Sequence, residues 1–288
     1  MPPTSVFRQK STGPLNTLTR GSTRVSSRGP SEGATKDVVF WIHLSHSREQ
    51  SLTQRLNEFG QPIGEPVPGW TPRERPADVT LTGTWCRLEP LDAARHADDL
   101  HAAYRAAPDS RNWTYLAVGP FETVDEFRRY AEGAARSADP KHYAVIDLKT
   151  GRAVGTLALM RQDPANGVIE VGSVTFSPLL QQTPLSTEAQ YLLMAYAFDT
   201  LGYRRYEWKC DSLNAPSRKA AQRLGFTYEG IFRQAVMYKG RTRDTAWFSI
   251  IDTEWASIKR AFAAWLMPEN FDEEGRQRVS LAALRERA

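Results

Sequence analysis

The chain has 288 residues, 41% hydrophobic and 24% charged, enough to bury a sizeable core in one large or two small domains. Its net charge of +4 comes from the first 36 residues, which carry six Lys/Arg against one acid; the remainder, 31 against 32, lacks the clustered cations of a nucleic-acid surface. No stretch approaches the roughly 18 apolar residues of a membrane span, and Cys86 and Cys210, far apart and without metal-ligand spacing, are expected as free structural thiols in a reducing, cytoplasmic compartment.

Residues 1–37 form a basic tail with twelve Ser/Thr and few apolar side chains, so it cannot bury enough surface to offset its ordering entropy and is expected to be disordered. It has no apolar signal core and no amphipathic organellar pattern, which favours a solvated extension over a targeting signal. Residues 38–76 are an N-terminal extension: Val38–Arg48 reads as a strand, and five prolines and three glycines between Gly60 and Pro76 make an extended arm with Trp70 as its anchor. The domain proper is expected over 77–268, and 269–288 as a polar C-terminal segment.

Within the domain, Gly83 is a turn before a strand at Trp85–Glu89, and Asp92 caps a helix over DAARHADDLHAAYRAA. An aromatic loop, RNWTYLAVGPF, precedes a second helix with Thr123 as N-cap and Glu126 completing a capping box. A hairpin turns at Thr150-Gly151. GVIEVGSVTFSP then alternates as a strand, with Val168, Glu170, Gly172, Val174 and Phe176 expected on one face and Ile169, Val171, Ser173 and Thr175 on the other. A polar loop, Gln181 to Ser186, enters a helix at Thr183-Pro184; Ala189, Leu192, Leu193, Tyr196 and Ala197 form its apolar stripe and Gly202 its stop. A helix start directly after a strand offers free N–H groups and a positive dipole end, which suit a diphosphate. Next, Tyr206, Trp208 and Cys210 alternate with Arg205, Glu207 and Lys209, a strand with one buried and one solvated face. Asn214 caps a short helix holding Ser217 in its first turn and ending at Gly225. A hairpin around Lys239-Gly240 and an amphipathic helix ended by Pro268 close the domain. This order predicts an α+β fold with one mixed, mostly antiparallel sheet flanked by helices. The five histidines make no HExxH or other ligand constellation, so no metal is expected.

The strand ending in VTFSP, the TEA of Thr187-Glu188-Ala189, and Asn214-Ala215-Pro216-Ser217 followed by Gly225-Phe226 resemble the GCN5-related N-acetyltransferases (GNAT). Their branch is that of the ribosomal-protein N-terminal acetyltransferases, and the resemblance spans roughly Val79 to Trp265. It implies a splayed central strand pair and acetyl-coenzyme A as co-substrate. The pantetheine arm is expected on the backbone of Val174, Thr175 and Phe176 and near Asn214, and the diphosphate on Gln181, Gln182, Thr183, Leu185, Ser186 and Thr187. In the family that loop usually reads Gln or Arg, two residues, Gly, one residue, Gly or Ala; here Pro184 stands in place of a Gly and removes one N–H donor.

Acyl transfer from a thioester to an amine needs a base, an oxyanion-stabilising N–H and an acid. The resemblance points to Glu170 as general base and Ser217 as the acid for the thiolate, with Tyr228 as an alternative acid and Trp113 and Tyr115 lining the acceptor pocket. A backbone N–H near Val174 is the expected oxyanion donor. The implied function is transfer of an acetyl group to a primary amine, small molecule or protein N-terminus, directly in a ternary complex. The chain is expected to act as a monomer or homodimer, without membrane and with nucleic acid disfavoured. The alternative is a non-catalytic coenzyme A sensor on the same fold; a third reading uses the basic tail to hold nucleic acid or ribosome.

Overall fold

A computed structural model describes residues 55–288. The basic tail and the strand expected at 38–48 lie outside the described residues. Residues 55–66 make a turn of their own, closed by a bridge between Leu56 and Pro62, with Asn57 Oδ1 accepting from the N–H groups of Phe59 and Gln61.

From Val67 to Ala288 the chain is one compact unit. Its elements are β1 (Leu81–Thr82), β2 (Cys86–Pro90), α1 (Ala93–Arg105), α2 (Val124–Ala135), β3 (Lys141–Asp147), β4 (Ala153–Asp163), β5 (Val168–Phe176), α3 (Pro184–Ala195), β6 (Arg205–Asp211), α4 (Ala215–Leu224), β7 (Thr227–Tyr238), β8 (Arg241–Ile251), α5 (Asp252–Leu266) and α6 (Leu281–Arg287). Eight strands form a single sheet in the order β1-β2-β3-β4-β5-β6-β8-β7, antiparallel except for β5 and β6. The fold class expected from sequence is therefore the one observed. Helices α1 and α2 cover a small core of Leu100, Tyr104, Phe127 and Ile146; a larger core joins Leu157, Ile169, Leu193, Tyr206, Phe248 and Phe262 beneath α3 and α5.

Local chemistry accounts for the boundaries. Asp92 accepts the N–H groups of Ala94 and Arg95 to start α1, and Thr123 and Glu126 exchange the two hydrogen bonds of a capping box at α2. The helix that begins with α3 does not run uniformly to Gly202: Tyr196–Thr200 is a π-turn, closed by the Leu201 N–H on the Tyr196 carbonyl. Beyond Pro268 the chain stays part of the unit. Leu281 of α6 is buried in the main core, and the Asn270 amide donates to the Trp265 and Val279 carbonyls, so 269–288 is more than a polar appendage.

Among the glycines required by close approach, two tie distant segments together. At Gly167, with φ +63°, a Cβ would fall 2.3 Å from the Trp70 ring, whose Nε1 donates to the Ala165 carbonyl; Trp70 thus anchors the segment before β1. At Gly83 a Cβ would collide with the Glu188 carboxyl. Glu188, buried on α3, accepts the N–H groups of Thr84, Trp85 and Cys86, each at 2.7 Å, and ties the β1–β2 turn to the helix.

Candidate active site

Strands β5 and β6 pair in parallel only from Val168 opposite Arg205 to Val171 opposite Trp208. Beyond that point β5 continues to Phe176 and β6 to Asp211 without pairing to each other. A β-bulge helps to part them. On the β4 side Thr156 faces Thr175 while Ala158 faces Gly172, so Leu157 alone opposes Ser173 and Val174, and Ser173 takes φ +49°. The extra residue also switches the alternation, because Val174 and Phe176 pack on the same core as Ile169 and Val171. The single-face set Val168, Glu170, Gly172, Val174 and Phe176 expected from strict alternation therefore breaks at the bulge.

The parted strands open a cavity of about 450 Å³. Its walls include Glu170, Val174 and Thr175 from β5, Lys209 to Asp211 from β6, Asn214 and Ser217 at the start of α4, Tyr115 from the α1–α2 connection, and Arg243, Thr245 and Trp247 of β8. Tyr115 spans to the β6–α4 loop by donating to the Leu213 carbonyl at 3.2 Å. The β7–β8 turn grips the same connection, Lys239 donating to the Trp113 carbonyl and Arg241 to that of Thr114.

Glu170 is 5% exposed. Burial raises its pKa above the ordinary carboxylate value, and Lys209 and then Arg161 pull it back. Lys209 Nζ lies 2.9 Å and Arg161 Nε 3.3 Å from Oε2. The ammonium's aligned hydrogen bond, however, goes to Glu207 at 2.6 Å, and Glu170 Oε2 accepts none from the described residues. Oε2 itself is shut off from solvent between the two cations.

Ser217 stands in the first turn of α4, its N–H bonded to Asn214 Oδ1 at 3.2 Å. The Trp208 indole donates to Ser217 Oγ at 3.0 Å, so the hydroxyl keeps its own proton to give. Nearby Cys210 is a buried free thiol whose pKa burial raises. Asp211, also buried, accepts from the Tyr238 hydroxyl at 2.8 Å; burial and that carboxylate push the phenol up to about 12.

The loop before α3 lies beyond the parted end of β5. Gln182 adopts φ +60°, and the Gln181 amide donates to the Phe176 carbonyl. Thr183 occupies the cap position but turns its hydroxyl to the Leu180 carbonyl, and Ser186 donates to the Thr183 carbonyl, so neither side chain caps the first-turn N–H groups. Leu185 packs on the main core and Thr187 is buried, accepting from Arg223 at 3.0 Å.

Two side chains chosen from sequence fall elsewhere. Tyr228 lies half-exposed on β7 against Phe248, outside the cavity, because the edge strand turns it away from the parted pair. Trp113 is buried edge-on against Tyr104 and Phe121 in the smaller core, leaving Tyr115 alone of the pair in the cavity wall. The charged face of β6, expected to be solvated, is buried: Lys209 and Glu207 side chains are under a tenth exposed. No local signal in the sequence marks this burial: it follows from the parallel pairing, which sets Glu170 beside Glu207, and two adjacent buried carboxylates need a cation between them.

A mixed sheet is thus parted at its one parallel pair, with a carboxylate on one wall of the opening and a helix start on the other. Residues 86–227 match the family described as Acetyltransferase (GNAT) domain. A crystal structure of a GCN5-related N-acetyltransferase from Brucella melitensis is 50% identical, with a TM-score of 0.75 over 76% of this chain and 100% of that one. A probable acetyltransferase (GNAT family) from Chromobacterium violaceum is 40% identical, TM-score 0.64, over 68% and 98%. The chain belongs to the GNAT family, whose general chemistry is acetyl transfer. Among curated proteins, the Bacillus subtilis "Putative ribosomal N-acetyltransferase YdaF" is 26% identical over 174 residues, 60% of this chain and 92% of that one.

Proposed function

We propose that this protein is an acetyl-coenzyme A-dependent N-acetyltransferase that acetylates a primary amine by direct transfer in a ternary complex. The observation that carries the reading is the placement of Glu170 and the Ser217 hydroxyl in the walls of one cavity between parted strands.

The cavity fits the co-substrate. Its volume lies within the range of small-ligand sites, β5 has backbone free of its parallel neighbour beyond Val171, and the first turn of α3 has amides that no side chain caps. Val174, Thr175 and Asn214 would hold the pantetheine arm, and the backbone of Gln182, Thr183, Leu185 and Ser186 the diphosphate. The bound thioester supplies the acetyl group and a thiolate leaving group. The Glu170 carboxylate takes the proton that makes the amine nucleophilic. As the amine nitrogen bonds the acetyl carbon and the C–S bond breaks, Ser217 Oγ, fixed as a donor by the Trp208 indole, gives its proton to the sulfur and regains one from solvent. Tyr228 has no part in this scheme.

The acceptor is an amine whose carbon skeleton reaches past Tyr115 into the cavity, and a protein N-terminus fits the name of the Bacillus subtilis relative. The free buried thiols suit a cytoplasmic setting. Thiol release measured over a panel of peptides and small amines tests the reading. Glu170→Gln and Ser217→Ala should each lower turnover by roughly 10² to 10⁴ while calorimetry shows nearly unchanged acetyl-coenzyme A affinity. Wild-type turnover in both variants would overturn the roles; tight binding with no turnover by the wild type would leave a coenzyme A sensor.

A further inference from the structure

The carboxylate at the cavity is the inner part of a row of alternating charge. Arg161 and Lys209 approach Glu170; Lys209 bonds Glu207; Glu207 accepts from Arg205 at 2.7 Å; and Arg205 holds both oxygens of Glu229, one of which also accepts from Ser249. The row begins on β4 and β5, runs along one face of β6, and ends at the edge strand β7. Lys209 is its pivot. Its ammonium sits between two carboxylates and 3.8 Å from the centre of the Trp247 ring, with a side chain only 6% exposed.

We propose that Lys209 is a positioning residue for the acetyl-transfer site, held by Glu207 and Trp247 so that its charge keeps the buried Glu170 carboxylate ionised and open to accept a proton. The inference rests on the reading of Glu170 as the base. A buried carboxylate beside a second carboxylate protonates unless a cation intervenes, and a protonated Glu170 accepts nothing from the amine. Lys209 bonds Glu207 and stands 2.9 Å from the enclosed Oε2 of Glu170, so one cation stabilises the charge on both carboxylates. Arg161 on β4 adds to the effect from a side chain that is 59% exposed, where solvent screens it. The other charged and titratable groups about Glu170 among the described residues are Glu207 on β6, which opposes Lys209, and, further along the same cavity, Tyr115, Tyr130, Cys210, Asp211 and Arg243.

The experiment follows the Glu170 carboxyl of the full chain, labelled with ¹³C at glutamate side chains and assigned by its loss in Glu170→Gln, through an NMR pH titration. Lys209→Met should raise its midpoint by about 1 to 3 pH units, and Lys209→Arg should keep it near wild type. Because Lys209→Met alone strands two acids and can unfold the chain, Glu207→Gln/Lys209→Met removes one charge of each sign and should still raise the midpoint. For an amine that turns over in the thiol-release panel, the acidic limb of kcat/KM should move by the same interval and the activity lost at neutral pH should return at higher pH. An unchanged midpoint in Lys209→Met or in the double variant overturns the proposal. If the midpoint moves while the acidic limb stays, and Glu170→Gln keeps that limb, Lys209 still controls the carboxylate, and the assignment of Glu170 as base is what fails.

Discussion

Strand β6 buries both of its faces, by opposite means. Tyr206, Trp208 and Cys210 join the main apolar core, where contact is non-directional and a neighbour can relax into lost volume. Arg205, Glu207 and Lys209 lie in the row of charges, where every group is satisfied by particular partners and removal of one strands its neighbours. The apolar face supplies stability and the charged face supplies the electrostatics of the site. They should therefore respond differently to mutation, pH and salt.

The largest break on the apolar side is expected at Phe248, fully buried opposite Trp208. Phe248→Ala should cost about 3–5 kcal/mol in urea unfolding, with little dependence on salt or pH. A buried titratable group without an ionic partner gives the next contrast: burial alone lowers the pKa of His142 to about 4. A folded-state value below the unfolded one means stability that is complete above about pH 6.5 and is lost as pH falls through 4, in all about 3 kcal/mol; His142→Asn should flatten that slope in a pH series of unfolding curves. On the charged side, Arg205→Met leaves Glu207 with Lys209 alone and frees Glu229, so about 2 kcal/mol should be lost at neutral pH, less than for breaking a fully buried pair because Arg205 is a quarter exposed. The Arg205 guanidinium holds Glu229 below the usual carboxylate range, so that contribution is present above about pH 4.5 and disappears as pH falls through the folded value; wild type and variant should converge in acid. The smallest effect belongs to Tyr206, whose hydroxyl is buried with no hydrogen-bond partner among the described residues. Tyr206→Phe should be neutral or stabilise by up to about 1 kcal/mol; a loss of more than that would mean that the hydroxyl is satisfied after all.

The elements of this fold were legible in the sequence because each is marked locally: Asp92 and Thr123 by capping, Gly151 and Gly240 by turns, and Val168–Phe176 by alternation. Glu170 and Ser217 were legible through a family resemblance, and the cavity wall holds both. What was missed is non-local. A bulge at Ser173 depends on what β4 offers opposite it, and one extra residue moves Val174 and Phe176 to the other face. Arg205, Glu207 and Lys209 look like a solvated face until Glu170 is placed alongside, and only the parallel register does that. Trp113 and Tyr115 are two residues apart in one loop, and nothing local says which turns inward to the smaller core. The π-turn at Tyr196–Thr200 keeps an apolar pattern compatible with an ordinary helix.

The carboxylate of Glu188 extends its reach well beyond α3. Amides at a turn ordinarily exchange with solvent by small local openings, whereas those of Thr84, Trp85 and Cys86 point into a buried carboxylate about a hundred residues further along the chain. Their deuterium uptake should therefore follow the undocking of α3, the helix whose first turn faces the proposed diphosphate. A tight hairpin at the edge of the sheet thereby becomes a slow-exchange reporter on the seating of that helix.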